Sequence, residues 1–135
     1  MKQFPIGFWN YSPIEQQDAS AVKDWSDAGM TLAMGPKYSL APEHTTKMRA
    51  ILDAAVQADI RVILCPEVGY WPHLTKVGEE AYRRDFASAV SALGDHPAVF
   101  GFHVGDEPNA QEFPDACRAM RIQKELAPHL NPFLN

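Results

Sequence analysis

Short apolar runs alternate with segments of helical period along the whole chain, and this alternation constrains the fold more than any other feature. A first strand is expected over residues 5–9, followed by a helix in which Ala21, Val22, Trp25 and Ala28 share a face. Gly29 then stands where a helix stops in the left-handed conformation. Residues 30–34 read as a second strand, closed by Gly35 and Pro36. Met48, Ile51, Leu52, Ala55 and Val56 recur at the spacing of an amphipathic helix. Residues 60–65 form a third strand stopped by Pro66, and Tyr82, Phe86, Ala89, Val90 and Leu93 mark a third helix closed by Gly94. A fourth strand follows Pro97. Phe113, Ala116, Cys117 and Met120 open a fourth helix with Pro114 in its first turn, and after Pro128 a fifth strand begins.

Successive βα units without reversal are built either as a doubly wound sheet or as a barrel. The first strand-to-helix loop, Asn10-Tyr11-Ser12-Pro13, carries no glycine-rich phosphate fingerprint. The barrel is therefore the expected fold: α/β, the N-terminal half of a (β/α)8 TIM barrel, with four βα units and the start of strand five. A complete barrel takes about 250 residues, so the 135 residues here read as one partial, truncated barrel domain over 1–135. Its open sheet edges are expected to favour self-association.

The fourth strand ends in an unusual way. Ala98-Val99-Phe100-Gly101-Phe102-His103-Val104-Gly105 runs directly into Asp106-Glu107-Pro108-Asn109, delivering two carboxylates to the strand's C-terminal end, the edge where parallel α/β folds place their chemistry. A period of two puts Gly101, His103, Gly105 and Glu107 on one face, small or polar and suited to lining a site. Phe100, Phe102, Val104 and Asp106 fall on the other, suited to packing under helices. Two readings of the acid pair are open: a catalytic carboxylate, or favourable charge at the N-terminus of the fourth helix.

Composition removes several functions. The net charge of −5 and pI near 5.4, with Arg83-Arg84 the one basic doublet, argue against nucleic-acid binding. No apolar run is long enough to span a bilayer. Residues 1–3 lead into a strand-like run without a secretory pattern, and an export signal removed in processing leaves no trace, so the compartment stays open, extracellular or periplasmic included. Cys65 and Cys117 are expected as buried free thiols with no second cysteine at ligand spacing. His44, His73, His96 and His129 are scattered, so no metal or other cofactor is expected. A G-x-S-x-G elbow is absent, which removes the serine-triad hydrolase fold.

Asp106-Glu107-Pro108 at the end of strand four resembles the acid/base motif of the retaining (β/α)8 glycoside hydrolases known as clan A, commonly Asn-Glu-Pro in that place. The resemblance implies that Glu107 is the general acid/base and that Asp106 contacts a sugar hydroxyl beside the scissile bond. It also implies a nucleophilic glutamate near the end of a seventh strand, about 5–5.5 Å from the acid/base in the retaining geometry. Asp106 departs from the clan pattern: it places a second negative charge beside Glu107 and gives up the amide donor.

The other strand ends supply candidate sugar contacts. Trp9, Asn10 and Tyr11 follow strand one, Lys37 and Tyr38 follow strand two, and Glu67, Tyr70 and Trp71 follow strand three. These aromatics read as loop residues just past strand ends instead of members of helix faces; sugar rings stack on aromatic faces while carboxylates and amides take hydroxyls. His103 shares the strand face of Glu107, either lining the pocket floor and bonding Glu107 or sitting as a satisfied core histidine. Two functions follow. One is hydrolysis of O-glycosidic bonds by the full-length enzyme, this part alone being inactive; the other is a non-catalytic carbohydrate-binding half-barrel, assembled as a dimer through its sheet edges.

Overall fold

The computed structural model describes residues 4–10 and 12–135. Strands β1 (Leu32–Tyr38), β2 (Arg61–Pro66), β3 (Val99–Gly105) and β4 (Asn131–Leu134) form one parallel sheet in the order β1-β2-β3-β4. Strands that neighbour one another in space as they do in sequence give the winding of a barrel, whereas a doubly wound sheet reverses its order at a switch point. Helices α1 (Ala21–Asp27), α2 (Pro42–Gln57), α3 (Trp71–Val77), α4 (Glu79–Ala89) and α5 (Phe113–Leu126) alternate with the strands. The architecture is half of a (β/α)8 barrel.

Each element follows from local chemistry. Val62, Ile63, Leu64 and Cys65 are all buried in β2, as expected of a parallel strand with side chains enclosed on both faces. Pro42 opens α2, where a missing N–H costs nothing, and its buried stripe is Met48, Ile51, Leu52 and Ala55. Gly29 takes φ 76° just after α1, as its place in the sequence requires. The layer between helices and sheet is largely aromatic beneath α4. Phe102 of β3 meets Phe86 edge-on at 4.9 Å, and Phe86 stacks on Tyr82 at 6.2 Å.

Four local expectations are corrected. Residues 5–9 run beside the start of β1 without becoming a strand. The Ile6 carbonyl accepts both the Thr31 and Leu32 N–H groups, and its own N–H donates to the Thr31 hydroxyl. Taking two donors on one carbonyl breaks the even ladder of a parallel pair. Second, β1 does not stop at Gly35-Pro36; it continues to Tyr38 through a register shift between Met34 and Lys37, where a proline without an N–H is tolerated. Third, Trp71 is not in a loop but opens α3, with Pro72 in the first turn. Fourth, the third predicted helix divides into α4 and a wide π-type turn over Val90–Gly94.

Candidate active-site cleft

The C-terminal ends of β1, β2 and β3 open into a cleft of about 570 Å³. The loop after β2 positions one wall. It is pinned by buried polar groups: the Tyr82 hydroxyl donates to the Gly69 carbonyl at 2.8 Å, and Gln123 Nε2 donates to the same carbonyl at 2.8 Å and to Tyr82 at 3.0 Å. With two helices tied to one backbone oxygen, Glu67 and Tyr70 are presented from a fixed turn. Breaking such a knot would leave buried groups unpaired, at about 1–3 kcal/mol each.

Trp9, Asn10, Glu67, Tyr70, Trp71, His103 and Asp106 all line this cleft. Tyr11 lies outside the described residues. Asn10 is 9% exposed, and its amide is fully engaged. Nδ2 donates to Gln17 and to the Met34 carbonyl, while Oδ1 accepts from the Ser12 N–H and from Gln17. A primary amide offers two donors and one acceptor oxygen with two lone pairs, so Asn10 shapes the wall and has nothing left for a ligand.

The acid pair divides. Strict alternation places Glu107 with His103 and turns Asp106 toward the helices; the structure does the reverse. Asp106 lines the cleft beside His103, and its carboxylate accepts a 2.9 Å bond from Asn135 Nδ2. Glu107 is exposed, outside the cleft lining, at φ 40°, with its N–H bonded to the Asn135 carbonyl. The two-residue period breaks at the end of β3, where its register against β4 shifts between His103 and Gly105 and Gly105 takes φ 154°. A Cβ there would stand 2.3 Å from Trp71 Cδ1, so only glycine lets the indole close over the end of β3.

The acid pair does not cap the next helix. Asn109 closes the turn that leads into α5: its Oδ1 accepts from the N–H groups of Gln111 and Glu112, and the Glu112 carboxylate accepts from the Asn109 N–H. This reciprocal pairing, of the kind found in a capping box, satisfies the turn ahead of α5 and involves neither Asp106 nor Glu107.

His103 is 5% exposed and meets Trp9 and Tyr70 edge-on at 5.3 and 5.1 Å. It is not bonded to Glu107, and neither ring nitrogen has a hydrogen-bond partner of good geometry. Burial holds its pKa below the ordinary histidine range, with the Gly105 backbone and the Asp106 carboxylate opposing. The unfolded chain therefore takes up a proton near pH 6.5 that folded His103 refuses. Its contribution to stability is full above that pH and is lost as pH falls toward the lowered folded value. The drop in Tm between about pH 7 and about pH 5 is expected to be smaller in His103→Phe than in the native protein; equal drops would contradict this reading.

Sequence reasoning missed His73 and Lys76, which also line the cleft. Both lie on α3, the helix whose aromatic start was read as loop, so their i, i+3 relation had no frame. His73 Nε2 pairs with Asp85 at 2.9 Å and holds that carboxyl below the usual range. Burial pushes the Cys65 thiol up to about 12, which makes it unreactive. Cys117 is only half-buried. Among the described residues no His, Cys, Asp and Glu group could hold a metal ion, and no helix is long and apolar enough to cross a membrane.

No family model matches the sequence, and the comparison with curated proteins returns no match. Among solved structures, one described as the crystal structure of a glycoside hydrolase superposes on the whole of this chain with a TM-score of 0.58 at 12% identity. The chain covers 53% of that protein, about half its length. At this identity the likeness concerns the fold, and the chain accordingly has a glycoside-hydrolase-like fold.

Proposed function

We propose that this fold serves hydrolysis of O-glycosidic bonds, with Glu107 as general acid/base and the nucleophilic carboxylate supplied by barrel strands beyond β4. The observation that carries the reading is the cleft at the strand ends, where Trp9, Tyr70 and Trp71 stand beside the carboxylates of Glu67 and Asp106. Rings of this kind stack on sugar faces and the carboxylates bond hydroxyls. Glu107 protonates the leaving oxygen, the partner carboxylate attacks the sugar carbon, and Glu107 then activates the water that releases the product. Asp106 holds a hydroxyl next to the scissile bond.

The polypeptide as its gene produces it should release product from aryl glycosides with retained anomeric configuration, followed by NMR. Inverted product would remove the two-step route.

One observation favours a second reading, a binding half-barrel without turnover. Glu107 lies off the cleft wall, and the inner face of the sheet carries an apolar hollow of about 420 Å³ lined by Leu32, Met34, Ile63 and Phe133. In that reading a second copy covers the hollow, and two copies of Glu107 face one another. Sugar binding with no product, by a chain that runs in light scattering at twice 15.0 kDa, would decide for it.

A further inference from the structure

We propose that the cleft takes an acidic sugar, one bearing a carboxylate or a sulfate ester, and that Lys37 and Lys76 hold the anion. This rests on the carbohydrate reading above and names its substrate class. Among the described lysines and arginines, all but Lys37, Lys76 and Arg121 are already held by a carboxylate or a backbone carbonyl. Two of those three unengaged cations come from different elements, β1 and α3, and line one cleft. Lys37 Nζ stands 5.5 Å from the centre of the Tyr70 ring, a contact that orients an ammonium without cancelling its charge.

Lys37 and Lys76 stand out on a wall where other polar side chains are already tied down. His73 is tied to Asp85, and Asn10 is saturated. A neutral sugar would leave both ammonium groups unanswered beside a stacking platform. An acidic sugar answers them with charge-assisted bonds and still offers hydroxyls to Glu67 and Asp106. The chain's net charge of −5 does not prevent this. Charges more than about 8–10 Å away are largely screened at physiological salt, whereas the two lysines act at contact.

The test is calorimetric titration of the native polypeptide with tetragalacturonate, a sulfated galactose tetrasaccharide and neutral cellotetraose. At least one anionic probe should bind about ten-fold more tightly than the neutral one, and Lys37→Gln with Lys76→Gln should abolish that preference. Raising salt from about 0.05 to about 0.5 M should weaken the anionic probe selectively. Lys37→Arg should retain most of the preference, which a loss through disturbed packing would not. Preference for the carboxylated or the sulfated probe identifies which anion is read. Equal binding of all three, unchanged in the lysine variants, overturns the acidic-sugar proposal and leaves the carbohydrate reading standing. Binding of none overturns both.

Discussion

Glu107→Gln is expected to slow hydrolysis of glycosides with poor leaving groups by about 10²–10⁴-fold while sparing the first step on activated aryl glycosides. Gln keeps the size of the side chain and the same backbone demand at φ 40°, so the exchange removes the proton and little else. A poor leaving group departs only when protonated; a good one leaves without help. The dependence on leaving group is therefore the signature of the acid, and a general loss of folding would not produce it. Asp106→Asn is the matched variant. Asp106 lines the cleft and Glu107 does not, so a leaving-group dependence found in Asp106→Asn alone would move the acid one residue upstream. Small, equal effects of Glu107→Gln on both substrate types would end the assignment.

Phe102→Ala is expected to cost about 3–5 kcal/mol of stability. Phe102 is 1% exposed, meets Phe86 edge-on, and sits over the helix layer that Tyr82 and Phe86 continue. Its removal leaves a cavity that the close-packed rings cannot refill. Domains of this size are stable by about 5–15 kcal/mol, so the variant should unfold at a much lower urea midpoint with an unchanged slope. A loss below about 1 kcal/mol would mean that α4 does not pack on β3 in solution.

The parts legible in sequence were those governed by period and punctuation. The buried run of β2, the stripe of α2 and the glycine stop after α1 each depend on neighbours within a turn or two. Glu67, Tyr70 and Asp106 were legible as cleft residues for a similar reason: they lie just past strand ends, and a parallel barrel gathers all its strand ends on one side. What failed depended on longer-range partners. Residues 5–9 have the apolar content of a strand, yet Thr31 and Leu32 both bond to the Ile6 carbonyl. Pro36 looks like a terminator until the shift of β1 against β2 absorbs it. Trp71 reads as a loop aromatic because the helix it opens is only seven residues long and offers almost no period to detect.

The sequence by itself determined the βα alternation, the barrel-like winding and the delivery of an acid pair to the end of β3, because side-chain period and turn chemistry act locally. Only the tertiary structure decided which acid enters the cleft. That choice goes with the register shift at the end of β3, between His103 and Gly105, where the glycine leaves room for Trp71 and Asp106, not Glu107, lines the cleft. Alternation alone cannot register such a break, since it lies in the pairing of β3 with another strand.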